Sequence, residues 1–148
     1  MGALGPSPFA LIASQMNSHH FLLISNRDAL ARAIVPNVLA HADRLSFAAD
    51  PFGAAALLRQ GQLDAVLLAI EENDQDGAIL CRTLRHYSNA PIILLVSNAP
   101  RDQVRRGYRL GADAHIEIPC DPRVFRARLS AVLRRTQKPQ ERMNSLLP

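Results

Sequence analysis

Two rhythms alternate along this chain. Short runs that are wholly apolar, or apolar at every second position, recur five times: Phe21-Leu-Leu-Ile-Ser25, Arg44-Leu-Ser-Phe-Ala48, Asp64-Ala-Val-Leu-Leu-Ala-Ile70, Pro91-Ile-Ile-Leu-Leu-Val96 and Ala114-His-Ile-Glu-Ile118. The third and fourth are continuously apolar after their first residue, as strands covered on both faces are. The second alternates like a short, half-exposed strand. Between the runs, apolar residues recur at helical spacing. Residues 28–41 carry Ala29, Leu30, Ala33, Ile34, Val38 and Leu39. A helix capped by Asp50 runs through Ala54, Leu57 and Leu58 to a stop at Gly61. The next spans about Ala78 to His86, with Ile79, Leu80, Thr83 and Leu84. Residues 101–110 form a fourth helix, closed by Gly111. Residues 121–135 form the last, with Val124, Phe125, Leu129, Val132 and Leu133 on one face.

Five strands alternating with five helices predict an α/β fold, a doubly wound parallel sheet with helices on both faces. Right-handed crossovers then place functional groups at the carboxyl ends of the strands. Those ends are Ser25-Asn26, Ala69-Ile70, Val96-Ser97 and Ile118-Pro119.

Composition narrows the class. The 148 residues, 48% hydrophobic and 20% charged, suit one globular domain. No run approaches the roughly 20 apolar residues of a membrane helix. The opening MGALGPSPFALIASQ has no Lys or Arg ahead of its apolar part and makes a poor secretory signal. Residues 1–18 are set aside as a disordered or vector-derived segment, with Met16 a second candidate start. The domain is placed at 19–136. The tail 137–148, lacking periodicity, reads as linker or disorder.

The net charge is +4, and it comes from the last third. Between Arg101 and Arg142 stand ten Arg and one Lys against five acids. This is either a basic face for nucleic acid or, more plainly, a solvated helix face. Cys81 and Cys120 are widely spaced and read as reduced thiols of a cytoplasmic protein. No Ser-His-Asp constellation, glycine-rich phosphate loop or paired-Cys metal motif is present, so neither an enzyme nor a cofactor is expected.

Four stretches bring a family into view: LLISNRD, DAVLLAIEENDQDG, APIILLVSNAP and GADAHIEIPCDPRVFRARLSAVLRR. Residues 20–136 resemble the receiver (CheY-like) domain of bacterial response regulators, in the OmpR/PhoB-type branch whose receivers precede winged-helix DNA-binding domains. The final stretch is the most specific, running from Gly111-Ala112-Asp113 to Leu133-Arg134-Arg135. Gly77 lies eight residues after Ala69, the family's spacing between phosphoryl acceptor and helix-entry glycine. The resemblance implies a flavodoxin-like fold with strand order 2-1-3-4-5 and a cis peptide at Ile118-Pro119.

The family's chemistry uses an acidic pair, an Asp nucleophile, a hydroxyl and a Lys, because a carboxylate attack on phosphorus needs a divalent cation and an ammonium to offset accumulating charge. Here the acidic pair falls on Ser25 and Asn26, the acceptor on Ala69, the hydroxyl on Val96 and the Lys on Ile118. A slip of one residue brings Ser97 or Glu117 into play but restores no Asp on the third strand. The site is therefore expected to be degenerate: apolar, dry and not phosphorylated.

Other residues carry weaker signals. Glu71, Glu72, Asp74 and Asp76 form a metal site with Asn26 or Asp28, or else a solvated acidic loop; the second is favoured, since hard-metal sites need oxygens converging from several elements. His115 stands where the family has a reorienting aromatic, and is read as a packed histidine ahead of a pH sensor. His19 and His20 are read as a disordered flank. Cys120 beside Arg123 is a redox thiol or, more plainly, a loop residue. The resemblance also implies a homodimer through the fourth helix, last strand and last helix, with Tyr108, Asp113, Arg128 and Arg135 at interface positions and Ala114 replacing a usual Asp. DNA would be met only through a further C-terminal domain. The alternative is a stand-alone adaptor that docks on a histidine kinase or another signalling protein without phosphotransfer.

Overall fold

The computed structural model describes residues 19–25, 29–39, 43–49, 51–71 and 77–146. The predicted capping by Asp50 lies outside them. In chain order the elements are β1 (His20–Ile24), α1 (Ala29–Val38), β2 (Arg44–Ala48), α2 (Pro51–Arg59), β3 (Ala65–Glu71), α3 (Gly77–Tyr87), β4 (Ile92–Ser97), α4 (Arg101–Arg109), β5 (Ala114–Glu117) and α5 (Pro122–Leu146). The strands are all parallel in the order β2-β1-β3-β4-β5. The doubly wound, flavodoxin-like sheet expected from the alternation is thus the one observed.

Period-two burial divides the core in two. Phe21, Leu23, Leu67, Ile93, Leu95 and Ile116 point to one side, under Ala31 and Val35 of α1 and Phe125, Leu129 and Val132 of α5. Leu22, Ile24, Leu68, Ile70, Leu94 and Val96 point to the other, under Leu58 of α2 and Cys81 and Leu84 of α3. Each fully buried Leu, Ile or Phe is worth about 1.5–3 kcal/mol against its exposed state, so these layers fix the register of β1, β3 and β4.

Local signals set the ends of the last two helices. At the end of α4, the Ala112 N–H donates to the Gly107 carbonyl at 2.9 Å and the Gly111 N–H to the Tyr108 carbonyl at 3.3 Å. This closure needs a left-handed residue, and Gly111 has φ 127°. Asp121 caps α5: its carboxylate accepts the Arg123 N–H at 2.8 Å, with Pro122 at the first helical position. The Ile118–Pro119 peptide is cis, as the resemblance implied.

Two expectations differ from the structure. Helix α5 continues to Leu146, so residues 137–146, read as linker or disorder, have helical backbone. Gln137, Lys138, Glu141, Arg142 and Met143 are good helix formers, and extending an existing helix carries no nucleation cost. Likewise His19 and His20 are no loose flank. His20 opens β1 opposite Arg44, its N–H donating to Asp64 at 2.7 Å and its Nε2 sharing a hydrogen bond with Ser46 Oγ at 2.7 Å. The His19 N–H donates to Asp43 at 3.1 Å.

The β5 end of the sheet is fastened by one carboxylate. Asp113 accepts the Ile92 N–H and an Arg85 N–H, each at 2.8 Å. The same Arg85 guanidinium donates to the Gly111 carbonyl at 2.6 Å and the Ala90 carbonyl at 2.9 Å. Four segments meet there: the end of α3, the entry to β4, the exit from α4 and the entry to β5. We expect Asp113→Ala to lower unfolding free energy by about 2 kcal/mol, because a charged acceptor with two donors is lost. Asp113→Asn, which keeps an oxygen for the Ile92 N–H, should lose about half as much. Urea denaturation of the three proteins measures both differences.

Candidate functional site

The carboxyl edge of the sheet is where a doubly wound fold holds its chemistry. Ser25 leaves β1 with its N–H donating to the Ala48 carbonyl at 3.2 Å, and it is the one buried polar residue among those described. Its carbonyl accepts an Arg32 N–H from α1 at 3.0 Å, and that guanidinium lies 5.9 Å from the centroid of the Phe47 ring. Asn26 and Asp28 lie outside the described residues, as does most of the acidic loop after β3. Ala69 pairs with Leu95, and Val96 pairs with Ile70 and Glu117. The Ile118 N–H donates to the Val96 carbonyl at 2.9 Å, which carries the ladder one residue past β5.

The side chains at these positions meet only in part. Ala69 and Ile118 are 8% and 5% exposed and bury into the cluster beneath α1 and α5, with Cys120 against it. Val96 turns into the cluster on the opposite side. Ser97 is half-buried and Glu117 exposed, so neither takes over the part played by Ala69. Ala69, Val96 and Ile118 thus supply no nucleophile, hydroxyl or ammonium. Among the described residues, no three His, Cys, Asp or Glu side chains converge as a metal site. Among the described residues, the Ala69, Val96 and Ile118 side chains are apolar and offer no oxygen or nitrogen to an anion.

A second locus lies at the free side of β5, the edge strand. Here Ala114 and Ile116 face inward to the α5 layer and His115 faces α4. The His115 Nδ1 is 2.6 Å from the Tyr108 hydroxyl, with the rings edge to face at 5.6 Å. His115 is therefore a packed and bonded histidine. Burial raises the Tyr108 phenol above its ordinary value, opposed by a hydrogen bond with the His115 backbone and by nearby Arg135. Between β5 and α5 runs a groove of about 340 Å³, floored by Ala114, Ile116, Ala131 and Val132 and rimmed by Tyr108, Asp113, His115, Arg128 and Arg135. The four residues singled out for an interface, Tyr108, Asp113, Arg128 and Arg135, all line it.

Neither cysteine forms a disulfide. Burial pushes Cys81 up to about 11, against the pull of Arg85, so it stays protonated and inert near neutral pH. Burial also raises Cys120, with Arg128 opposing. Neither has the lowered value of a redox thiol. Sequence reasoning missed Arg32 and Arg85. Each is a helix arginine whose spacing gives no hint that it bonds carbonyls at a strand end or loop.

The comparisons agree with this architecture. No family model matches the chain. The transcriptional regulatory protein AfsQ1 of Streptomyces coelicolor is 33% identical over 117 residues, covering 79% of this chain and 52% of AfsQ1. The transcriptional regulatory protein BaeR of Escherichia coli O6:H1 is 31% identical over 113 residues, covering 76% of this chain and 43% of BaeR. Among solved structures, a CheY-like receiver domain protein from Methanospirillum hungatei superposes with TM-score 0.69 at 19% identity, covering 81% of this chain and 97% of that one. The fold of the described residues is that of CheY-like receiver domains, and their sequence is similar to about half the length of bacterial transcriptional regulators. The curated relatives are transcriptional regulators, and the chain spans about half the length of those it matches.

Reinstating the acceptor alone tests how far the site has changed. Ala69→Asp places a carboxylate in an apolar cluster. We expect it to destabilise the fold by about 2–4 kcal/mol at neutral pH. Desolvation raises the folded-state pKa of such an acid, so the penalty is largest above that value. It should shrink below about pH 4, where the carboxyl is neutral in both states. Ala69→Asn, similar in size but uncharged, should cost less and show no such pH dependence. Chemical denaturation across pH separates charge from volume.

Proposed function

We propose that this chain is a receiver that has left phosphoryl chemistry and regulates by contact, as a phosphorylation-independent module of a bacterial transcriptional regulator. The observation that carries this reading is the burial of Ala69 and Ile118 in one apolar cluster. They occupy the places where the resemblance calls for the nucleophile and the ammonium. The module acts in the cytoplasm, is not an enzyme, takes no cofactor, and meets DNA through a C-terminal domain beyond this chain. Similarity to transcriptional regulators supports that assignment. Residues 137–146 then extend α5 toward that domain.

The working surface in this reading is the α4–β5–α5 face. A homodimer through it is the arrangement the resemblance brings. The charges on this face bear on how strong that pairing can be. Asp113 is the acid at the interface positions, and Arg85 and the Ile92 N–H already hold its carboxylate. A symmetric pair must use the same patch twice, which brings two copies each of Arg128 and Arg135 into one interface. A different protein with an acidic surface would meet the same patch without that repulsion.

Two measurements follow. Incubation with acetyl phosphate and magnesium should leave the intact mass unchanged; a phosphoryl increment would overturn the central claim. Self-association through the face should be weakest at low ionic strength and grow as salt screens the arginines. Light scattering over a salt series checks this. A dimer tightest at low salt and dissolved by Arg128→Ala would contradict the repulsion.

A further inference from the structure

The sheet ends at β5 on one side and at β2 on the other. Among the described residues no strand pairs with the outer side of β2, and the bonds on its inner side show which backbone groups are left there. The Arg44 N–H donates to the His19 carbonyl at 2.7 Å, and the Ala48 carbonyl accepts the Ser25 N–H at 3.2 Å. Both bonds run to the β1 side. Along a strand, successive residues turn their backbone groups to opposite sides. Ser46 therefore also bonds toward β1, while Leu45 and Phe47 present their N–H and C=O groups outward.

Edge strands are commonly protected from pairing by Lys, Pro or an inward-pointing charge. β2 has none of these among Arg44-Leu-Ser-Phe-Ala48, and its one charged residue is the first. Its two outward residues are instead its large apolar ones. Phe47 is 47% exposed, and Leu45 packs partly buried against the cluster beneath α1 and α5. Two residues apart, they share one face of the sheet. A strand added here meets open hydrogen-bonding groups and uncovered apolar surface together.

We infer that β2 pairs antiparallel with β2 of a second copy of this chain, about a two-fold axis at Ser46, so that two five-stranded sheets become one. The strand is its own complement in this register. Leu45 stands opposite the copy's Phe47, and Phe47 opposite the copy's Leu45. Directly opposed residues that both face the partner exchange both their hydrogen bonds, so every outward group of Leu45 and Phe47 is used. Centring the axis on Leu45 or on Phe47 leaves the other without a partner within the strand. The same register sets each exposed Phe47 ring against a leucine, a favourable cross-strand pair. Charge does not oppose it. Arg44 stands opposite Ala48, and Arg32 is bonded to the Ser25 carbonyl at the carboxyl edge, at 3.0 Å. Antiparallel pairing carries the two carboxyl edges to opposite ends, so the two Arg32 guanidinium groups do not meet. This contact lies at the other edge of the sheet from the α4–β5–α5 face and is independent of it.

The test is sedimentation equilibrium of the full chain, with disulfide trapping to fix the register. A contact this narrow is weak, so the chain is taken to about 0.5 mM, where a dimer should be populated. Phe47→Pro should weaken it at least about tenfold, because proline removes an outward donor and leaves the bonds to β1 in place. Phe47→Lys keeps every backbone group and should weaken it similarly by placing a charge on the edge. Arg128→Ala should leave it unchanged. Amide spectra of these variants should keep the native pattern away from β2. Opposed residues between two hydrogen-bonded pairs lie about 4.5 Å apart at Cα, within disulfide range. In a Cys120→Ser background, with Cys81 buried, Ser46→Cys should therefore form a covalent dimer on mild oxidation. Leu45→Cys and Phe47→Cys, each opposed to a different residue, should do so several-fold more slowly. A chain that stays monomeric at about 0.5 mM, a dimer that both Phe47 variants leave intact, or faster trapping through Leu45→Cys or Phe47→Cys than through Ser46→Cys would each overturn the inference.

Discussion

Everything in this domain depends on a parallel sheet whose inner strands are buried on both faces. Alternate residues of β1, β3 and β4 feed two separate apolar layers, and no side chain of Val66 to Ile70 or Ile92 to Val96 is exposed. A slip of one residue would exchange the two layers, so register is strongly fixed. That rigidity also fixes which residues arrive together at the carboxyl edge. In this chain the arrivals are Ser25, Ala69, Val96 and Ile118. The apolar layering continues through Ala69 and Ile118 to the end of the strands.

The fold was legible because its determinants are periodic. Five apolar runs and five helical spacings are local signals, and Gly111 announced the end of α4. The strand-end positions were legible because each closes its apolar run, and Ser25, Ala69, Val96 and Ile118 do arrive at the carboxyl edge. What escaped were features without a period. Arg85 sits in the last turn of α3, where a basic residue reads as helix-end solvation, yet it braces the carbonyls of Ala90 and Gly111 and the carboxylate of Asp113. His20 was lost because its strand role comes from pairing with β2 and from the distant Asp64. Residues 137–146 read as linker because they show no apolar stripe, and a helix that extends an existing one needs none.

The β5 edge shows how charge and packing divide their work. Asp113 is held by two donors, which stabilises the join of β4, β5 and α3 and offsets its charge at the rim of the groove. Arg128 and Arg135 face outward across an apolar floor. A single acid is therefore structural while its neighbouring cations are available. Sequence position alone suggested that all of them belonged to one interface, and only the geometry separates the two roles.

The two loci also bear on each other. A receiver that responds to phosphate needs a group at the end of β4 that senses the modification, and a movable aromatic on β5 that reports it. Val96 has no hydroxyl to bond such a group, and the imidazole of His115 is held to the Tyr108 hydroxyl at 2.6 Å. In the proposed reading the domain carries neither a covalent signal at one end nor a relay to the other. A ligand shifts an equilibrium only through different affinities for its two states. In the proposed reading, that difference comes from what binds the α4–β5–α5 face itself. Input and output then share one surface, and its chemistry, cations around an apolar floor, decides which partners can act on it.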